Sequence, residues 1–123
     1  MTDTNTTKSF DDESKQKVLR RLLKSKEKAH ILATSLRFKG RGSDADEVAA
    51  KAEELTRQVD RLLIDVMREW LGAADRIEAQ LRTANESLQT SIRKINQAVN
   101  TASNVVKAIG FIDDTISIAA KLV

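Results

Sequence analysis

The 123-residue chain has no Cys, no Pro and no Tyr, and only four Gly and one Trp. Lack of Cys excludes disulfides, thiolate nucleophiles and Cys-based metal sites. Lack of Pro and scarcity of Gly leave little to interrupt helices, and Ala, Leu, Lys, Arg, Glu and Gln supply strong helix formers. Aromatic residues make up 3% of the chain, too few to interleave with basic side chains as a platform for stacking single-stranded bases. No long apolar run is present either. Residues 105–123, the most apolar region, carry Lys107, Asp113, Asp114 and Lys121, more charge than a bilayer helix of roughly 20 apolar residues tolerates. Residues 1–13 are polar, with Phe10 the one large apolar side chain after Met1, so no secretory signal is read there. A cytoplasmic location, or export without a cleaved signal, is expected.

What remains is an all-α pattern in one domain. Residues 1–13 are expected to be a disordered polar tail, and residues 14–123 a single helical domain. Apolar spacing predicts helices near 14–39, 44–71, 75–109 and 113–122: three long amphipathic helices and a short apolar C-terminal one. The first carries Val18, Leu22, Ala29, Leu32 and Leu36 on one face, with Leu19, Leu23 and Ala33 beside them. Ser9 or Asp11 can cap its start, and Gly40 and Gly42 its end. The second carries Ala45, Val48, Ala52, Leu55, Val59, Leu62, Val66 and Trp70, with Ser43 and Asp46 as a capping box. Gly72 admits two readings. As a stop, with Asp75 and Glu78 capping the next helix, it gives an antiparallel bundle. As an interior glycine, costing about 1 kcal/mol against Ala, it gives a helical hairpin with an extended coiled-coil arm.

A heptad seam dominates residues 77–123. Ile77, Leu81, Ala84, Leu88, Ser91, Ile95, Ala98, Ala102, Val105, Ile109, Ile112 and Ile116 recur at spacings of four and three, with Ile92, Val99 and Val106 in a second row. A stripe this wide faces more than one neighbour. The sequence therefore predicts that Leu88, Ile92, Ile95, Val99, Ala102, Val106, Ile109, Ile112 and Ile116 form an association seam, for a second copy or a helical partner. Gly110 is expected to end the third helix, and Asp113 or Asp114 to cap the last.

Charge is segregated. Residues 14–41 hold ten Lys and Arg against Glu27, a local net of +9 in a chain of net +3. Lys17, Arg20, Arg21, Lys24 and Lys28 lie opposite the Val18 and Leu22 stripe, which makes a basic amphipathic helix. Such a face attracts nucleic-acid phosphates, anionic headgroups or acidic partners. Alternatively it is a solvated surface partly neutralised by Glu47, Glu53, Glu54, Asp60, Asp65 and Glu69 of the second helix.

Catalytic signals are weak. His30 is the only His and sits at the border of the apolar stripe. Glu53 with Glu54, and Asp113 with Asp114, are adjacent rather than a helical turn apart and do not converge from one helix. Asp65 and Glu69 share a face, but Arg61 and Arg68 flank them, so ion pairing is the expected role. No Gly-rich phosphate loop or nucleophile elbow is present. The chain reads as a non-enzyme with no cofactor, no metal and no small-molecule substrate.

The tripeptide Trp70-Leu71-Gly72 in a small Cys-free chain resembles the Trp-x-Gly family of secreted helical hairpins. The likeness spans residues 44–109 and implies two antiparallel helices that associate in pairs. The chain departs from that pattern by a basic helix in front, an apolar extension behind and no Tyr-based export signal. From the residues themselves, Trp70 is read as a core anchor where helices meet.

Three functions follow as expectations. The first is a non-enzymatic structural or adaptor protein that self-associates or binds a helical partner through the seam in residues 77–123. The alternative is a membrane-surface or pore-forming component using the basic helix of residues 14–41 and the apolar C-terminus. A further one is a nucleic-acid-binding accessory protein acting through the basic helix.

Overall fold

The structure, a computed structural model, describes residues 9–123. It contains four α-helices, α1 (Asp12–Phe38), α2 (Gly42–Ile64), α3 (Ala74–Asn96) and α4 (Thr101–Ala120), and among the described residues no strand. The part of the expected tail in residues 1–8 lies outside the described residues. Phe10 is half-buried, and its ring centroid lies 5.6 Å from that of Trp70.

Helix α1 begins as its residues dictate: the Asp11 carboxylate accepts the Ser14 N–H at 2.7 Å, satisfying one of the open donors of the first turn. It ends in a Schellman turn. The Arg41 N–H reaches the Leu36 carbonyl (2.9 Å) and the Gly40 N–H that of Arg37 (3.2 Å), with Gly40 at φ +76°, the left-handed position glycine fills without a Cβ penalty. The Ser43 capping box does not form. Helix α2 starts two residues earlier, at Gly42, and Asp44 and Asp46 pair instead with Arg41 and Arg37.

Gly72 acts as a stop, at φ +105°, but α2 has already ended at Ile64. Residues 65–73 form an irregular crossing. The burial of Trp70 (2% exposed) drives it: the indole turns inward and its N–H donates to the Asp65 carbonyl at 3.3 Å. Lys15, itself buried, donates through Nζ to the carbonyls of Val66 (2.8 Å) and Arg68 (2.6 Å) and lies 5.6 Å from the indole. The Leu71 N–H bonds the Leu122 carbonyl at 2.7 Å, while Arg61 donates to the carbonyls of Ala119 and Val123, both at 3.1 Å. The crossing, α1 and the C-terminus thus close one end of the bundle together. The Asp75 and Glu78 capping box is also absent: α3 starts at Ala74 with no side-chain cap, and Glu78 pairs with Arg21.

The expected helix over residues 75–109 is in fact two. Between α3 and α4 the chain reverses at residues 97–100, with Ala98 at φ 58° and Asn100 at φ 45°. The Val99 N–H bonds the Lys94 carbonyl (2.8 Å) and the Ala98 N–H that of Ile95 (3.0 Å), a second Schellman turn with Ala where Gly is usual. Asn104, buried, donates its amide to the carbonyls of Val99 (2.8 Å) and Asn100 (3.2 Å). Gly110 does not end a helix; it lies exposed within α4.

The four helices form two antiparallel hairpins, α1/α2 and α3/α4, laid side by side. Cross-links at Arg21–Glu78, Lys28–Gln89 and Ser35–Asn96 show that α1 and α3 run parallel, and Lys51–Asp113 with Arg61–Ala119 show the same for α2 and α4. Helices α2 and α3 sit on a diagonal with no close backbone approach, although both contribute to one apolar cluster, so the adjacent antiparallel pair implied by the Trp-x-Gly resemblance is not formed. Two apolar clusters fill the interior. One holds Leu32, Leu36, Val48, Leu88, Ile95 and Ile112, the other Leu22, Leu55, Leu62, Trp70, Leu81 and Leu122. Each fully buried Leu or Ile contributes about 1.5–3 kcal/mol.

Candidate functional site

The seam closes on its own chain. Leu88, Ile92, Ile95 and Ile112 are buried inside the bundle, and Ile109 and Ile116 pack against the same core. Reversal at residues 97–100 turns what reads as one long stripe into two facing halves, each covering the other. Outside the core remain Val99 (43% exposed), Val106 (71%) and Ala102, which is also exposed. Phe111, Ile116 and Ile118 are half-buried against the core.

The basic residues separate into three roles. Lys15 points inward and binds the crossing. Arg21 and Lys28 face α3: Arg21 Nε donates to Glu78 Oε2 at 2.8 Å, and Lys28 to the Gln89 side-chain oxygen. Lys17, Arg20 and Lys24 point outward. With Arg21, Leu23, Glu27, Glu78 and Arg82 they line an open groove of about 660 Å³ between α1 and α3. Glu78 is already held by Arg21 and by Arg82, at 3.6 Å, so its charge is spent within the groove.

Neutralisation by α2 does not reach this ridge. Asp46 pairs with Arg37 (3.0 Å), Glu54 with Arg57 (2.6 Å) and Asp65 with Arg68 (3.7 Å). The hydrogen bond from Arg57, then that from Gln58, holds the Glu54 carboxyl below its ordinary value. Lys51 bonds Asp113 of α4 at 2.7 Å, which raises its ammonium above the usual range. Among the described residues Lys17, Arg20 and Lys24 form no ion pair.

Sequence periodicity missed the rest of the ridge. Leu23, expected beside the core stripe, is 41% exposed, and Ile31 and Phe38 are 58% and 88% exposed. Lys17, Lys24, Ile31 and Phe38 recur every seven residues, a line opposite Leu22, Ala29 and Leu36 that marks one helix face. Arg82 joins from α3 because α1 and α3 run in register, which spacing within one helix does not reveal. His30 is exposed, with Nε2 3.3 Å from Thr56 Oγ1. Among the described residues no three His, Asp or Glu side chains cluster as a metal site, and no helix is long and apolar enough to cross a membrane. The chain matches no family model, no curated protein and no solved structure.

Proposed function

We propose that this protein is a non-enzymatic helical binding module that attaches to an anionic surface through the outward ridge of α1 and the neighbouring edge of α3. The observation that carries this reading is the set of unpaired cations Lys17, Arg20 and Lys24 around one groove, with Arg82 opposite and Glu78 already neutralised. Unpaired cations on a rigid helix need not break an internal contact before binding. Each such Lys or Arg near an anionic surface contributes about 1 kcal/mol, so three supply about a hundredfold in affinity, weakened by salt. Heparin, a generic polyanion, provides the test. The protein is expected to be retained on a heparin column, and the Lys17→Gln, Arg20→Gln, Lys24→Gln triple variant to elute at much lower salt with an unchanged melting curve. Absence of retention at low ionic strength refutes the reading.

A second reading, helix association with a second copy or a helical partner, draws on Val106, Val99 and Ala102, the part of the seam that the bundle leaves uncovered. Light scattering tests it: Val106→Asp is expected to reduce the assembled mass if this face joins two chains.

A further inference from the structure

Resting on the anionic-surface reading of α1, we infer that the surface is that of an anionic lipid bilayer, with α1 lying lengthwise in the interface and Ile31 and Phe38 entering the headgroup layer. The line Lys17, Lys24, Ile31, Phe38 is cationic in its first half and apolar in its second. Ile31 is 58% and Phe38 88% exposed, and Lys39, also exposed, follows Phe38. Folding does not need these two side chains outside: their neighbours Leu32 and Leu36 fill the core with no exposed area.

A nucleic acid would satisfy Lys17, Arg20 and Lys24 through phosphates, but Ile31 and Phe38 would meet apolar base surface only by entering a groove or unstacking bases. A partner helix docks its ridges into grooves between helices, whereas Ile31 and Phe38 border a shallow, open hollow walled by α1 and its C-cap alone, with His30, Thr34, Ser35 and Lys39. A bilayer conforms to such an open face. It also supplies anionic headgroups beside an acyl boundary, the two environments that an interfacial helix with basic and apolar side chains occupies. From Lys17 to Phe38 the ridge spans roughly 32 Å at 1.5 Å per residue, long enough to meet several headgroups at once. Glu27 lies between the two halves and opposes the attraction, but Lys17, Arg20 and Lys24 outnumber it. Helix α1 keeps its core stripe buried throughout, so attachment is peripheral and the bundle stays closed.

The test uses vesicles of phosphatidylserine with phosphatidylcholine, vesicles of phosphatidylcholine alone, heparin and duplex DNA. Because the chain has no Cys, Phe38→Cys and Val106→Cys each give one site for an environment-sensitive dye, the second on α4, diagonally across the bundle. The dye at position 38 is expected to shift to the blue on anionic vesicles alone, and the dye at position 106 to stay unchanged. The Ile31→Ser, Phe38→Ser double variant is expected to lose about tenfold or more in vesicle affinity, with heparin retention and melting curve intact. Vesicle binding indifferent to that double variant, or heparin and DNA binding without vesicle binding, overturns the lipid inference and leaves the anionic-surface reading standing. Failure to bind heparin as well removes both.

Discussion

Lys15→Met is the sharpest test of how the bundle closes. Lys15 is 7% exposed, and its ammonium holds the Val66 and Arg68 carbonyls at 2.8 and 2.6 Å while lying over Trp70. A hydrogen bond to a charged group contributes about 1.5–3 kcal/mol. The Val66 and Arg68 residues are half-buried and exposed, so water recovers part of the loss, and Met keeps the apolar stem in place. The expected cost is about 2–3 kcal/mol, which for a domain of this size lowers Tm by roughly 10 °C. Urea unfolding gives the free energy. Trp70 fluorescence gives the cause, since an indole released from its 2%-exposed position emits to the red. Lys17→Met, two residues on and exposed, is the control and is expected to stay within about 0.5 kcal/mol of the parent. A Lys15→Met protein as stable as that control, with Trp70 emission unchanged, refutes the clamp.

The remaining expectations concern the core and turns. Ile95→Asp, at a position with no exposed area, forfeits about 1.5–3 kcal/mol of burial and adds carboxylate desolvation, so it is expected to unfold the chain by circular dichroism. Val106→Asp, at 71% exposure, is expected to leave stability within about 0.5 kcal/mol. Ala98→Gly relieves the left-handed residue at φ 58° and is expected to stabilise by about 1 kcal/mol in urea melts; destabilisation would show that the turn is not formed. Asn85 donates to Ser25, yet its Oδ1 is buried without a partner. Ser25→Ala with Asn85→Leu is therefore expected to fall within about 1 kcal/mol of the parent, and a loss beyond about 3 kcal/mol would make the pair essential.

Much of the fold is legible in the residues. Composition dictates an all-helical chain, Asp11 and Gly40 mark the bounds of α1, and Trp70 reads as the anchor it is. The reversal at residues 97–100 is not legible from periodicity, because Ile95, Ala98, Ala102 and Val105 keep spacings of three and four straight through it. Its marks are chemical: Asn100, a residue that tolerates left-handed backbone, and Asn104 placed to satisfy turn carbonyls. Gly110 misleads in the opposite sense, since on an exposed helix face it costs only about 1 kcal/mol. The basic helix is plain in the sequence, but its division among inward Lys15, α3-facing Arg21 and Lys28, and outward Lys17, Arg20 and Lys24 depends on which sides of α1 its neighbours occupy. The diagonal placement of α2 and α3 decides that, and it rests on a crossing set by tertiary contacts of Trp70 and Lys15.

Residue-resolved NMR titration with a short heparin oligosaccharide tests most directly that the α1 ridge and the adjoining edge of α3 bind anions. Shift changes are expected to concentrate between residues 17 and 39 and around Arg82, with α2 and the outer face of α4 around Val106 unmoved. Changes centred on α2 or α4, or none at low ionic strength, would contradict it.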